Sequence, residues 1–296
     1  HGIIDQVAGT RRIMTTGAVT RIATTEPENG VADTIYGGAD SDILLGGNGG
    51  DTIDAGDGNN IVLGDLGYID YVILDQNPSD IDLIASTQTT SLGGGDSVTS
   101  GAGQDIIIGG REGDTINAGD GDNLVFGDSA QISAAIAGAS QITGHSMTLG
   151  LVTSLTTADG GVDVITTGSG TGIVLGGMGA DTLSLGAGND IALGDNGELV
   201  YDSDPSANPA TLDAIRSIDR GYGGADTIHG NEGDDILVGG YGADLIHGND
   251  GADTLLGDNG ELLDVETLST LRAAKVRTTD IANSTGGDDT MMAASV

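Results

Sequence analysis

Carboxylates recur at nine-residue steps through most of this 296-residue chain. Asp33, Asp42 and Asp51 open the series and Asn60 fills the fourth place. The same column then reads Asp96, Asp105, Asp114, Asn123, and next Asp163, Gly172, Asp181, Asp190. It continues as Asp226, Asp235, Asp244, Asp253 and reopens at Asp289. Scattered acids solvate a surface; acids locked to a grid are oxygen ligands presented at a fixed interval. That chemistry belongs to a binding scaffold or a material rather than to a single reaction centre. The sets start 63, 67, 63 and 63 residues apart, so the nine-residue repeats are grouped into four copies of a larger unit. Self-similarity at fixed periods settles architecture before any single residue does.

The elements that must position these acids are legible in one repeat, Gly46-Gly47-Asn48-Gly49-Gly50-Asp51-Thr52-Ile53-Asp54. Six turn formers precede three residues of strand character. The glycines permit positive φ and let carbonyls turn inward, while the aliphatic residue points to the interior. That inward column runs Ile35, Leu44, Ile53, Val62, then Val98, Ile107, Ile116, Val125. It resumes as Ile165, Val174, Leu183, Ala192 and ends with Ile228, Leu237, Ile246, Leu255. A narrow aliphatic core between two sheets of very short parallel strands is the expectation.

These repeats resemble the calcium-binding nonapeptide of RTX proteins, Gly-Gly-x-Gly-x-Asp-x-aliphatic-x. Matching stretches are Gly37–Leu45, Gly46–Asp54, Gly109–Asn117, Gly176–Ser184, Gly230–Val238, Gly239–His247 and Gly248–Leu256. The resemblance covers four blocks of about 36 residues and implies an all-β chain of tandem parallel β-rolls, a β-solenoid. Two nonapeptides then make one 18-residue coil, so Asp33 neighbours Asp51 and Asp42 neighbours Asn60. Oxygen-only coordination with many carbonyls suits Ca²⁺ better than Mg²⁺, which keeps its waters in tight octahedral geometry. Two sites per block give on the order of eight ions per chain. Asn60 and Asn123 are expected as neutral ligands at weaker sites, and Gly172 offers no side chain.

Each block closes on a Gly-Asp step, and Asp65, Asp128, Asp195 and Asp258 are expected either to cap the last turn or to complete an edge calcium site. Blocks are expected at 28–65, 91–128, 158–195 and 221–258, with a fifth opening at 285–296. Connectors occupy 1–27, 66–90, 129–157, 196–220 and 259–284. Tyr68–Leu74 and Ile81–Ile84, separated by Asn77-Pro78-Ser79, read as a β-hairpin, and Pro205 and Pro209 mark the corresponding turn in the third connector. Glu261–Arg277 reads as opening with a short helix. The connectors are expected as lids over open roll edges or as contacts with neighbouring chains.

Composition limits the alternatives. With 54 glycines, one Phe, no Trp and no Cys, the chain has no thick aromatic core, disulfide or thiolate metal site. Glycine loses the most backbone freedom on ordering, so folding needs another source of free energy, and metal binding is one. A net charge of −36, from 45 acids against nine bases, excludes nucleic acid as a partner, since phosphate contact needs Lys and Arg clusters. No apolar run reaches a membrane span. No signal sequence opens the chain, so export would use a signal outside this stretch.

Three further patterns carry less. Gly127-Asp128-Ser129 copies a lipase nucleophile motif, but its Gly-Asp pair belongs to the block-closing column and no base is placed for Ser129. His229 and His247 lie 18 residues apart and should stack as two solvent-facing imidazoles. Arg11, Arg12 and Arg21 gather three of the nine bases near the start, where they meet an acidic roll of this or another molecule. The reading that follows is a non-enzymatic, extracellular, calcium-binding structural repeat protein, forming a filament, matrix or adhesin stalk. It self-associates into a homopolymer or continues a longer repeat chain. A calcium-triggered secretion or folding module of a type I-exported toxin or enzyme is the alternative, and an adhesive module is disfavoured by the scarcity of aromatics.

Overall fold

The computed structural model describes residues 2–6, 18–25, 27–87, 91–135, 145–201, 211–265, 273–279 and 286–293. Apart from one 3-10 turn at Pro27–Asn29, every regular element among them is a strand. None of the described residues forms a helix long and apolar enough to cross a membrane.

The strands build three layers. A nine-stranded parallel front sheet collects the first half of each coil, from Thr34–Gly38 to Thr290–Met292. An eight-stranded parallel middle sheet collects the second half, from Ile43–Leu45 to Thr254–Asp258. Coils pair 18 residues apart in strict register, Ile35 on Ile53 and Leu44 on Val62. The blocks then stack directly on one another across the connectors: Ile53 pairs with Val98, Ile116 with Ile165, and Leu183 with Ile228. The tandem rolls are thus fused into one continuous solenoid.

Side-chain pattern explains the layering. Front strands such as Thr115-Ile116-Asn117 are apolar on one face only. Middle strands such as Ile61-Val62-Leu63, Ile106-Ile107-Ile108 and Leu124-Val125-Phe126 are apolar on both, the mark of a parallel sheet covered on both sides. The inward column forms the front–middle core, fully buried from Ile53 to Ile246 and partly buried at Ile35, Leu44 and Leu255 near its ends. The second aliphatic set, with Ile61, Leu63, Ile106, Ile108 and Phe126 among it, faces the other way.

The connectors cover that second set. Each supplies two antiparallel strands to a ten-stranded back sheet, and Ile69, Ile84, Ile132, Val152, Leu199, Ile215 and Leu262 from it are completely buried against the middle sheet. The connectors therefore lie over a face of the roll, and His145 of the connector 129–157 also reaches a turn edge, its Nε2 2.6 Å from the Gln104 carbonyl oxygen. Strands of any sheet advance by roughly 4.8 Å, so two coils and one hairpin rise by the same amount and the layers stay in step. The first connector hairpin is Gly67–Asp70 on Leu83–Ser86, with Asn77 Nδ2 bonded to Asp80 in the intervening loop.

Two further expectations are corrected here. Glu261–Arg277 does not open as a helix: Gly260–Val265 pairs antiparallel with Ala273–Thr278. Alternation decides this, because Leu262 must face the middle sheet while Glu261 faces out to bond Arg216 and Arg277. Arg21 meets a connector rather than an acidic roll, with its guanidinium 4.1 Å from the Tyr68 ring centre and 4.0 Å from Asp70. Arg11, Arg12, Pro205 and Pro209 lie outside the described residues.

Candidate metal centres

The grid acids fall into two rows, one along each turn edge of the solenoid. The first row comprises Asp33, Asp51, Asp96, Asp114, Asp163, Asp181, Asp226, Asp244 and Asp289, each immediately before a front strand. Its members are linked by one repeated bond, in which a backbone N–H donates to Oδ1 of the acid one coil on. The distances are 2.7 Å from Asp33 to Asp51, 2.6 Å from Asp51 to Asp96 and 2.7 Å from Asp96 to Asp114. The row ends with 2.8 Å from Asp226 to Asp244 and 3.0 Å from Asp244 to Asp289.

The second oxygen is the informative one. Oδ2 of Asp51, Asp96, Asp114, Asp163, Asp181, Asp226 and Asp244 is buried and accepts no hydrogen bond within the protein. Each faces a glycine whose missing side chain keeps the space open. A Cβ on Gly109 would stand 2.2 Å from Asp114 Oδ2 and 2.4 Å from the Gly127 carbonyl oxygen. On Gly239 it would meet Asp244 Oδ2 and the Gly257 carbonyl, both at 2.3 Å. A carboxylate oxygen and a carbonyl of the next coil thus converge on each cradle. Among the described residues no three Asp, Glu or His side chains gather at one point, so an ion there would draw its remaining ligands from backbone carbonyls and water. That donor set, all oxygen and rich in carbonyls, fits calcium.

Electrostatics agree with an unmet demand for positive charge. Burial lifts the Asp96 and Asp163 carboxyls from 3.8 to about 7, against the opposing effect of the backbone N–H each accepts. Burial lifts Asp181 to about 9, with the charges of Asp163 and Asp226 adding to it. A buried, unpartnered carboxylate is costly, so each must be neutralised by a proton or by a cation.

The second row, before the middle strands, is less uniform. Asp190, Asp235 and Asp253 carry the same orphaned Oδ2, and Gly230 and Gly248 open cradles for the last two. Asp42 faces Gly37 in the same way. Asn60 and Asn123 depart from the ligand role expected of them. Each accepts the usual backbone N–H on Oδ1, from Asp42 at 2.9 Å and Asp105 at 2.9 Å, and turns its Nδ2 hydrogens onto loop carbonyls. An amide donor facing the carbonyls is the reverse of a metal ligand. Asp105 is closed too, since Ser100 Oγ donates to its Oδ2 at 2.7 Å.

The block-closing acids are clips. Asp65 accepts Gly94 N–H at 3.0 Å on Oδ1 and Arg111 N–H at 2.5 Å on Oδ2. Asp128 does the same with Gly161 and Met178, and Asp195 with Gly224 and Tyr241. Of the two roles expected for these residues, capping is the one their geometry carries, because both oxygens hold backbone donors of the next block. Asp258 lies against Gly286 in the same fashion. The partner glycines were not singled out from sequence. A Cβ at Gly93, Gly160, Gly223 or Gly286 would come within 2.3 Å of a clip carboxylate. Each stands three residues before the first acid of its block, a spacing that makes them findable.

Ser129 is buried where the second block passes into its connector, beside the clip Asp128. His229 and His247 stack as expected, with ring centres 4.9 Å apart.

Comparison with known proteins agrees with this geometry. The family model described as RTX calcium-binding nonapeptide repeat (4 copies) matches residues 36–68, 99–130, 157–192, 175–198 and 229–261. No curated protein matches the chain.

Proposed function

Four stretches of the chain match the RTX calcium-binding nonapeptide repeat, and from that premise we propose that the chain is a calcium-loaded structural rod, a length of an extracellular filament, matrix or adhesin stalk without catalytic activity. Repeats of this family bind calcium and are typical of secreted proteins. The observation that supports the rod is the common step of the three layers. Every unit adds two strands to the front, middle and back sheets alike, so units stack without limit along one axis. Block joins such as Thr52 on Ser97 show that a connector does not interrupt the stacking.

Calcium would fill the cradles held by the orphaned acids, neutralising carboxylates that are otherwise costly to bury. Ten buried Oδ2 atoms without partners among the described residues support a load on the order of ten ions per chain, against on the order of eight counted block by block. Three of the ten lie at block junctions, where Gly64 faces Asp96, Gly127 faces Asp163 and Gly194 faces Asp226. Growth of the rod proceeds through further repeats of the same chain or through a second copy. The open sheet edge at Thr34–Gly38, flanked by exposed Val31 and Tyr36, is the surface on which it would proceed.

A second reading is a calcium-triggered folding module of an exported toxin or enzyme. The orphaned acids favour it, since such a chain folds only where calcium is plentiful. Negative-stain electron microscopy with millimolar calcium, and then with chelator, separates the two. Long fibres that dissolve on chelation support the rod, whereas isolated short particles in calcium refute self-assembly and favour the module.

A further inference from the structure

The two turn edges are not equivalent, and the difference lies in pairs of residues five apart. On the first edge Gly46 precedes Asp51, Gly109 precedes Asp114, Gly176 precedes Asp181 and Gly239 precedes Asp244. The second edge repeats that pairing only toward its ends, with Gly37 before Asp42, Gly230 before Asp235 and Gly248 before Asp253. Between them, Ala55, Ser100 and Ala118 precede Asn60, Asp105 and Asn123, and Thr167 and Leu185 precede Gly172 and Asp190. At Asn60, Asp105 and Asn123 the unpaired carboxylate oxygen is absent as well, whereas Asp190 keeps one although Leu185 stands five residues before it.

The hydrogen bonds show what replaces it. Asn60 Nδ2 donates to the Gly56 carbonyl at 3.2 Å, the Gly58 carbonyl at 3.1 Å and Ser100 Oγ at 3.3 Å. Asn123 Nδ2 donates to the carbonyls of Ala118 at 3.3 Å and Gly119 at 3.1 Å. The amide orientation is fixed independently, because the opposite oxygen must receive a backbone N–H from Asp42 or Asp105. Between the two amides, the Ser100 hydroxyl closes the second oxygen of Asp105. Turn carbonyls and carboxylate are thus satisfied by hydrogens of the chain itself.

We propose that Asn60, Asp105 and Asn123 form an ion-free seam in the second edge, where amide and hydroxyl hydrogens stand in place of the cation. Calcium then loads the first edge along its length and the second edge only outside the seam. The first two blocks keep one edge bonded without calcium, so structure surviving chelation is concentrated there. The first part of this inference rests on the calcium reading above; the survival of the seam in chelator does not.

The test counts ions by native mass spectrometry at saturating calcium and follows backbone hydrogen exchange in chelator. Asn123→Ala should leave the ion count of wild type unchanged and speed exchange around residues 105 and 123 in chelator. Asp235→Asn should bind one ion fewer. The double variant Ala118→Gly/Asn123→Asp restores glycine and acid together and should bind one more. Loss of an ion from Asn123→Ala, or no gain by the double variant, overturns the seam. The gain-of-site variant keeps the question open to measurement if Asn123→Ala fails to fold. A wild type that binds no calcium refutes the calcium reading instead, and uniform exchange along the chelated chain refutes the residual seam.

Discussion

Removing calcium and then lowering the pH should refold this protein, against the usual behaviour of acid-treated proteins. The grid acids carry carboxyl pKa values raised by burial, Asp96, Asp163, Asp190 and Asp235 each to about 7 from 3.8. A folded value above the unfolded one means the native state binds the proton more tightly. Stability of the metal-free fold is therefore fully present below 3.8 and is lost as pH rises toward 7. A gap of about three pH units is worth roughly 4 kcal/mol for each such carboxyl, so a few of them exceed the net stability of most domains. Chelated protein at pH 8 should show little β signal in far-UV circular dichroism, regain it as pH falls below 7 and recover it fully by about pH 4. Calcium-loaded protein should keep the signal at pH 8, because the cation neutralises the same oxygens. A chelated spectrum identical at the two pH values, or weaker at the lower one, would refute the claim that buried carboxylates hold the apo chain unfolded.

Other perturbations follow from single positions. Asp51→Ala should reduce the number of bound calcium ions, while Asp70→Ala, off the grid and paired with Arg21 at 4.0 Å, should leave it unchanged and cost at most about 1 kcal/mol; calorimetric titration reads both. Gly223→Ala drives a methyl group to 1.7 Å from Asp195 Oδ1 and should lower the melting temperature of the loaded protein by an amount corresponding to roughly 1–3 kcal/mol. Gly221→Ala, where a Cβ meets nothing within 4 Å, is its control and should melt close to wild type. Leu193→Ala removes a side chain buried between the middle and back sheets and should cost roughly 2–5 kcal/mol in denaturant unfolding with calcium. Val164→Ala, on the exposed front face, should cost far less, and equal losses would contradict the three-layer core.

The coil and its register were legible in the chain because they depend on local repetition alone. A nine-residue period with glycine turns and a single aliphatic residue per strand sets an 18-residue coil, and the pairing of Ile35 with Ile53 obeys it. The two rows of acids follow from the same arithmetic. The fate of the connectors was not legible, since nothing in 66–90 states which surface it will cover. The signal lay elsewhere, in middle strands such as Ile61-Val62-Leu63 that carry apolar residues on both faces and so demand a second cover.

The chemical identity of each grid residue was likewise visible, but its role depended on the atoms brought to face it. Asp51 and Asp65 are both buried aspartates next to glycine turns. Only the stacking of blocks gives Asp65 two backbone donors and leaves Asp51 with an oxygen unmet. Asn60 occupies a ligand column, yet the fixed direction of its backbone partner forces its amide hydrogens onto the carbonyls. Sequence by itself determined the repeat, the coil and the presence of calcium-type turns, which are short-range consequences of glycine and acid spacing. Tertiary structure alone decided the fused solenoid, the lid over one face and the division between cradle, clip and seam. Those depend on which carbonyl and N–H groups meet across neighbouring coils, up to 50 residues apart in the chain.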